Sequence, residues 1–237
     1  MTSIPRTIET ATLALASGGS GAPLGHDGDD LIMGGPSGDL LVGGEGDDLL
    51  AGGAGNDVIL TGAGNDQAEG HGGNDHMNLG GGHDSAFGGE GTDCILLGDG
   101  FDFAQGDAGN DYVNGGGDAD QIFGGAGDDT LDGGAGDGAA DYAQGDLGHD
   151  TFRWGPGDGN DMFQGGQGAD TIELRGVTLD QVKAGLDLWN QGLTLEVGAN
   201  GTLRFTNAQG LAVSFSGTLT LGGQTLSFQD VETIRLG

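Results

Sequence analysis

Sixteen aspartates recur at a fixed interval through this chain. Asp30, Asp39, Asp48, Asp57, Asp66, Asp75, Asp84, Asp93, Asp102, Asp111, Asp120 and Asp129 follow one another at nine residues. Asp141, Asp150, Asp161 and Asp170 follow after two of the intervals lengthen, by three and by two residues. Carboxylates in such a row can hold hard cations, and a flexible all-oxygen cage suits Ca2+ better than Mg2+ or Zn2+. The surrounding charge points the same way: residues 25–173 carry 31 acidic groups and one basic group, and no Lys or Arg lies between Arg6 and Arg153. Protein cations cannot neutralise that block, so it stays expanded or binds metal.

The elements that must position these aspartates follow from the rest of the interval. The unit reads Gly-Gly-x-Gly-x-Asp-x-U-x, and its best copies are residues 43–51 and 52–60; sixteen units cover residues 25–173. The eighth position is always apolar: Ile32, Leu41, Leu50, Ile59, Ala68, Met77, Ala86, Ile95, Ala104, Val113, Ile122, Leu131, Ala143, Phe152, Phe163 and Ile172. One inward residue per nine cannot make a helical stripe, but it fits a three-residue strand x-U-x whose flanking side chains point outward. The Gly-rich remainder forms the turn, where glycine permits positive φ and close approach of backbone to a ligand. Two half-coils give an 18-residue coil with odd-numbered units on one sheet, even-numbered units on the other, and coils about 4.8 Å apart.

In that winding the aspartates form two edges. One holds Asp30, Asp48, Asp66, Asp84, Asp102, Asp120, Asp141 and Asp161; the other holds Asp39, Asp57, Asp75, Asp93, Asp111, Asp129, Asp150 and Asp170. Bare carboxylates about 5 Å apart repel by on the order of 3 kcal/mol per pair at an effective dielectric of about 20. The thin core is not expected to offset both this and the ordering entropy of the glycines. Divalent cations between successive rungs reverse the sign. Seven gaps per edge make about 14 ions, whose charge nearly cancels that of the block.

The unit resembles the RTX (repeats-in-toxin, haemolysin-type calcium-binding) nonapeptide. The resemblance implies an all-β chain, a right-handed parallel β-roll with Ca2+ bound in its turns. It further implies export through type I secretion machinery that reads an uncleaved C-terminal signal, and hence a secreted, extracellular or cell-surface location. Departures occur at Thr61, Leu79, Leu97 and Trp154 (first position), His26, His71, Asp107 and Asp146 (second), and Ser37 and Asp118 (fourth). They put the geometry of individual sites in question, as do the longer units at Asp141 and Asp161.

The flanks differ in character. Residues 1–24 read as an N-terminal cap or linker, too short for a catalytic domain. Residues 174–237, net −1, read as a small β-rich C-terminal capping domain. There Thr178 to Gln181 forms a capping box opening a helix toward Trp189. Alternating strands are expected over 193–197, 202–206, 211–216 and 218–221, with hairpin signals at Ala199-Asn-Gly and Gly222-Gly. The closing 228–237 segment resembles RTX C-termini and reads either as an export signal or as a plain capping strand; both can hold. Leu31, Met33, Leu40, Val42, Leu49, Val58 and Leu60 make an apolar exterior that calls for a cover, either the N-terminal segment or a partner or second copy.

Other chemistry is disfavoured. No His-Glu-x-x-His or Gly-x-Ser-x-Gly occurs, and His83-Asp84-Ser85 are consecutive positions of one turn that cannot converge as a triad. The five histidines occupy scattered repeat positions unsuited to zinc, and Cys94 is the single cysteine. Six basic residues against a net charge of −31 exclude phosphate-driven nucleic-acid binding, and no apolar run is long enough for a transmembrane segment. The mixed outward positions lack the regular Thr array of an ice-binding surface. Two readings remain: a non-enzymatic calcium-binding roll with a structural, adhesive or extracellular-matrix role, or the C-terminal secretion or polymer-binding module of a secreted protease, lipase or polysaccharide epimerase.

Overall fold

Each regular repeat unit contributes one strand, and the strand is longer than the x-U-x pattern requires. Leu49–Ala54, Val58–Ala63, Gln67–Gly72 and His76–Gly81 are six residues each, running from the seventh position of one unit through the third of the next. Glycines at the first two positions let the backbone keep pairing past the apolar residue, as Gly62↔Gly80 and Ala63↔Gly81 do. The turn proper is therefore confined to positions four to six.

The computed structural model of the chain describes residues 13–15, 24–189, 192–198 and 200–237. Its strands lie in two parallel-wound sheets, with odd-numbered units in a 12-stranded sheet and even-numbered units in an 11-stranded one. The step is 18 residues, as in Leu49↔Gln67 and Val58↔His76. Around the longer units the register holds, with Gln121↔Tyr142 and Tyr142↔Met162 in pairing, because the extra residues are looped out at the turns. The architecture is the parallel β-roll expected from the repeat.

All sixteen eighth-position side chains are fully buried. The core also has a second column that the repeat pattern hides. Thr61, Leu79, Leu97 and Trp154, the first-position departures, are fully buried as well, as is Leu174. They lie two residues beyond an eighth position and so share its face. The expectation of one inward residue per nine is thereby corrected at one edge of the roll, where larger side chains replace glycine and thicken the core. Small Ala68, Ala86 and Ala104 on one sheet alternate along the coil with Met77, Ile95 and Val113 on the other. Farther on, Phe152 and Phe163 stack at 5.1 Å.

Both sheets continue into the C-terminal segment. Helix Leu179–Gly185 opens with the expected capping box at Thr178 but stops short of Trp189, giving way to strand Leu186–Leu188. Strands Thr194–Val197 and Thr202–Thr206 pair antiparallel as anticipated, although Ala199 lies outside the described residues. The two strands expected over 211–221 are one, Phe215–Leu221, hairpinned with Gln224–Val231. Gln224–Val231 and Thr233–Leu236 then add, parallel, to the last odd and last even strands of the roll.

At the other end, Leu13–Leu15 pairs parallel with Leu31–Met33, extending the sheet by one rung. That segment adds to a sheet edge. Leu31, Met33, Leu40, Leu49 and Val58 on the outer faces remain 37–43% exposed. Leu24 bridges to Val42, and the rest of the N-terminal cap or linker lies outside the described residues. Farther along the odd sheet's exterior, Phe87, Phe103, Phe123 and Tyr142 form a zigzag with ring centroids 5.6–5.7 Å apart. Among the described residues no helix is long and apolar enough to cross a membrane.

Candidate metal centres

The roll brings the sixteen aspartates into the two edges anticipated and gives each a fixed orientation. Asp30 N–H donates to Asp48 Oδ1, Asp48 N–H to Asp66 Oδ1, and so on through Asp84, Asp102, Asp120 and Asp141 to Asp161, at 2.8–3.0 Å. On the second edge the same chain of bonds runs from Asp39 through Asp57, Asp75, Asp93, Asp111, Asp129 and Asp150 to Asp170, at 2.7–2.9 Å. Every carboxylate after the first thus accepts from the preceding rung with one oxygen. Fifteen of the sixteen residues are at most 5% exposed, Asp39 being the partly exposed one.

The second oxygen is the informative one. Oδ2 of Asp48, Asp57, Asp66, Asp75, Asp84, Asp93, Asp102, Asp111, Asp120, Asp129, Asp141, Asp150 and Asp170 is buried without any hydrogen-bond partner. A buried unpaired polar atom costs about 1–3 kcal/mol, more when charged, so a repeated set of them calls for a common partner. Ten of these oxygens face first-position glycines, while Asp66, Asp84 and Asp102 lie in units whose first position is Thr61, Leu79 or Leu97. A methyl group on Gly70 would collide with Asp75 Oδ2 and the Gly88 carbonyl oxygen, and one on Gly106 with Asp111 Oδ2 and the Gly124 carbonyl oxygen. Carboxylate and carbonyl oxygens from successive coils therefore converge over bare backbone.

Electrostatics state the same mismatch. Burial pushes the carboxyls up, the hydrogen bond from the preceding rung opposes it, and neighbouring rungs push up again. Asp48, Asp57, Asp84 and Asp93 reach about 6, Asp111 about 7, and Asp120 and Asp129 about 8. Asp141 and Asp150 reach about 6 and Asp161 about 7 for the same leading reason. Among the described residues no three His, Cys, Asp or Glu side chains converge on one point. Each rung offers carboxylates from two coils, and further donors have to be main-chain carbonyls. That all-oxygen set fits a hard cation of flexible coordination such as Ca2+ and does not fit zinc.

Several departures from the repeat prove compatible with the turn. His71, Asp107 and Asp146 at the second position and Asp118 at the fourth hold φ of 69–72°, the left-handed region glycine would occupy. Asp and His are among the non-glycine residues enriched there. At the first position Thr61 Oγ1 donates to the Leu79 carbonyl at 2.6 Å, so that turn, like those at Leu79 and Leu97 on the next two coils, is filled by a side chain.

Three sets of residues escaped the sequence reading. Fifth-position side chains form a second system of bonds that runs the opposite way. Asp29, Asp47 and Asn65 accept through Oδ1 from the N–H of the residue 18 later, and His83 does so through Nδ1 from Phe101. Asn56, Asn74 and Asn110 repeat this on the second edge, as do Asp128 and His149 with the residues 21 and 20 later, across the longer units. Arg175 bridges buried Asp132 and Asp158, with bonds of 2.8–3.1 Å, so a protein cation does neutralise part of the acidic block, contrary to expectation. It can do so because the turn of the longer unit carries Asp158 toward the start of the C-terminal segment. Glu232, finally, accepts from Asp170 N–H at 2.7 Å.

The family model of the RTX calcium-binding nonapeptide repeat, four copies long, matches residues 24–59, 33–68, 52–86, 69–104, 105–139 and 156–175. These matches together span more than half of the chain. A search of the curated proteins finds no match.

Proposed function

We propose that this chain, which belongs to the RTX calcium-binding nonapeptide-repeat family, is a secreted, non-enzymatic protein whose roll forms when Ca2+ loads both aspartate edges. The row of buried, unpartnered Oδ2 atoms carries this reading. Bound Ca2+ supplies the positive charge that turns repulsion between rungs into attraction. The protein's part is to aim one oxygen of each carboxylate after the first rung at the previous coil, to leave the second oxygen without a partner on thirteen of them, and to keep the first position bare on most turns.

The sixteen aspartates named above are the side-chain ligands of this reading, and the seven gaps per edge hold about 14 ions. Affinity in the range of extracellular modules, about 10⁻⁴ to 10⁻³ M, keeps the chain unfolded inside the cell and lets it fold after export by type I machinery. The folded roll then serves as a stiff, acidic extracellular element with a structural, adhesive or matrix role. Far-UV circular dichroism of the whole chain tests the core of the proposal. A spectrum without β-structure in EDTA, converted to a β-rich one by millimolar Ca2+ and not by equimolar Mg2+, is expected. A spectrum already β-rich in EDTA at neutral pH would overturn it.

A further inference from the structure

The last aspartate of the second edge is followed by another acidic rung, outside the repeats. Thr171↔Thr233, Ile172↔Ile234 and Glu173↔Arg235 are in register, and so are Met162↔Ser227, Phe163↔Phe228 and Gln164↔Gln229. Residues 227–235 thus make one more half-pair of strands wound like the coils before them. Between Gln229 and Glu232 lie only Asp230 and Val231, where Gly165 to Ala169 separate Gln164 from Asp170. The turn is too short for a nonapeptide, and the longer side chain of glutamate makes up the distance.

Two oxygens of this turn stand where the repeat places its own. Asp170 N–H donates to Glu232 Oε2 at 2.7 Å, as Asp150 N–H donates to Asp170 Oδ1 at 2.9 Å. A methyl on Gly165 would collide with Asp170 Oδ2 and the Asp230 carbonyl oxygen, as one on Gly145 would meet Asp150 Oδ2 and the Gly165 carbonyl oxygen. Asp170 is fully buried, and its Oδ2 has no partner. On the first edge the corresponding position after Asp161 is Leu226, whose neighbour Ser227 donates N–H to the Asp161 carbonyl at 2.8 Å. Only the second edge is prolonged.

We infer that Glu232 and the Asp230 carbonyl form, with Asp170, an additional Ca2+ site at the junction, so that docking of the C-terminal strands is coupled to metal loading. This rests on the roll binding Ca2+ as proposed above. The site is a ninth rung of one edge, built without the repeat motif, and it makes the closing strand metal-dependent where its near-neutral charge suggests independence.

The test uses the whole chain. Glu232→Gln keeps an oxygen able to accept from Asp170 N–H and removes the charge; Glu196→Gln, on an exposed strand of the same segment, is the control. Equilibrium dialysis with radioactive Ca2+ is expected to count about one ion fewer in Glu232→Gln and no change in Glu196→Gln. Hydrogen exchange is expected to show that protection of Thr202–Thr206 and Thr233–Leu236 needs several-fold more Ca2+, with early coils unaffected. An unchanged count and midpoint would show that Glu232 is a hydrogen-bond acceptor only and overturn the inference alone, whereas a wild-type chain that binds no Ca2+ overturns the proposed function as well. Should Glu232→Gln fail to fold at saturating Ca2+, Gly165→Ala, whose methyl meets the Asp230 carbonyl oxygen and Asp170 Oδ2, decides: a raised Ca2+ requirement for protection of Thr233–Leu236 supports the site, and an unchanged one overturns it.

Discussion

Asp57 donates its backbone N–H to Asp75 Oδ1 at 2.8 Å, while Asp75 Oδ2, in a residue 2% exposed, is left without a partner. One oxygen of the side chain is structural and the other is reserved. Asp75→Asn separates the two roles, since it keeps an oxygen for Asp57 and loses the charge. Titration of this variant is expected to count about two fewer ions, from the gaps toward Asp57 and Asp93, with the other edge intact. Asp27→Asn, an exposed residue off both edges, is expected to lose none. Equal losses would identify diffuse counterion condensation in place of sites.

The first-position glycines predict a steric test. Gly106→Ala places a methyl against Asp111 Oδ2 and the Gly124 carbonyl, and overpacking of this kind costs about 1–3 kcal/mol. The Ca2+ midpoint of folding is expected to rise several-fold. Gly72→Ala, where a methyl meets nothing within 4 Å, is expected to leave the midpoint close to wild type.

Protons and metal compete for the same carboxylates. Rungs such as Asp120 and Asp129 titrate near 8 in the metal-free roll against 3.8 for the free side chain, chiefly through burial. A folded-state value raised in this way favours the folded form at low pH, and the advantage is lost as pH rises through about 6 to 8. In EDTA, β-structure is therefore expected to increase as pH falls from 8 toward 5, and the Ca2+ needed for half-folding is not expected to rise over the same fall, because protons and Ca2+ both favour the folded form over a chain whose carboxylates are already ionised. Circular dichroism across that range checks both, and a metal-free signal that is flat from pH 8 to 5 would remove the electrostatic account.

Arg175 anchors the longer units. Asp132 and Asp158 are 2% and 5% exposed, and each relies on the guanidinium for charge compensation. Arg175→Met strands two buried carboxylates, and breaking such a pair costs about 3–5 kcal/mol. The urea midpoint at saturating Ca2+ is expected to drop markedly. Asp132→Asn in the same background is expected to recover part of the loss, and absence of any recovery would show that the guanidinium acts through packing alone.

The periodic part of the molecule was legible in the sequence because one physical rule repeats. Asp at position six and an apolar residue at position eight place Asp57 and Ile59 on their edge and sheet without reference to anything else. Strand length was not legible, since pairing of Gly62 with Gly80 depends on backbone that carries no side-chain signal. Nor was the second inward column, where Leu79 and Leu97 look like errors in the motif until the longer strand turns them toward the core. The fifth-position bonds hide behind mixed residue types, Asp, Asn and His, that share only an acceptor atom. Glu232 was missed because its turn is three residues short, so no fixed period finds it; its signal is Glu-Thr-Ile-Arg at 232–235 set against Asp-Thr-Ile-Glu at 170–173.

Alternation of units between the two sheets makes the parity of the repeat count matter for some features and not for others. Duplicating a single nine-residue unit between Phe103 and Phe123 would turn everything after it by half a coil. Phe87 and Phe103 would then lie on the opposite face from Phe123 and Tyr142, and the aromatic zigzag would be cut in two. The aspartate edges would tolerate the same event, because either edge accepts the next turn. Gene duplications that preserve this outer surface must therefore come in steps of two units, while those that only lengthen the acidic edges can come in steps of one.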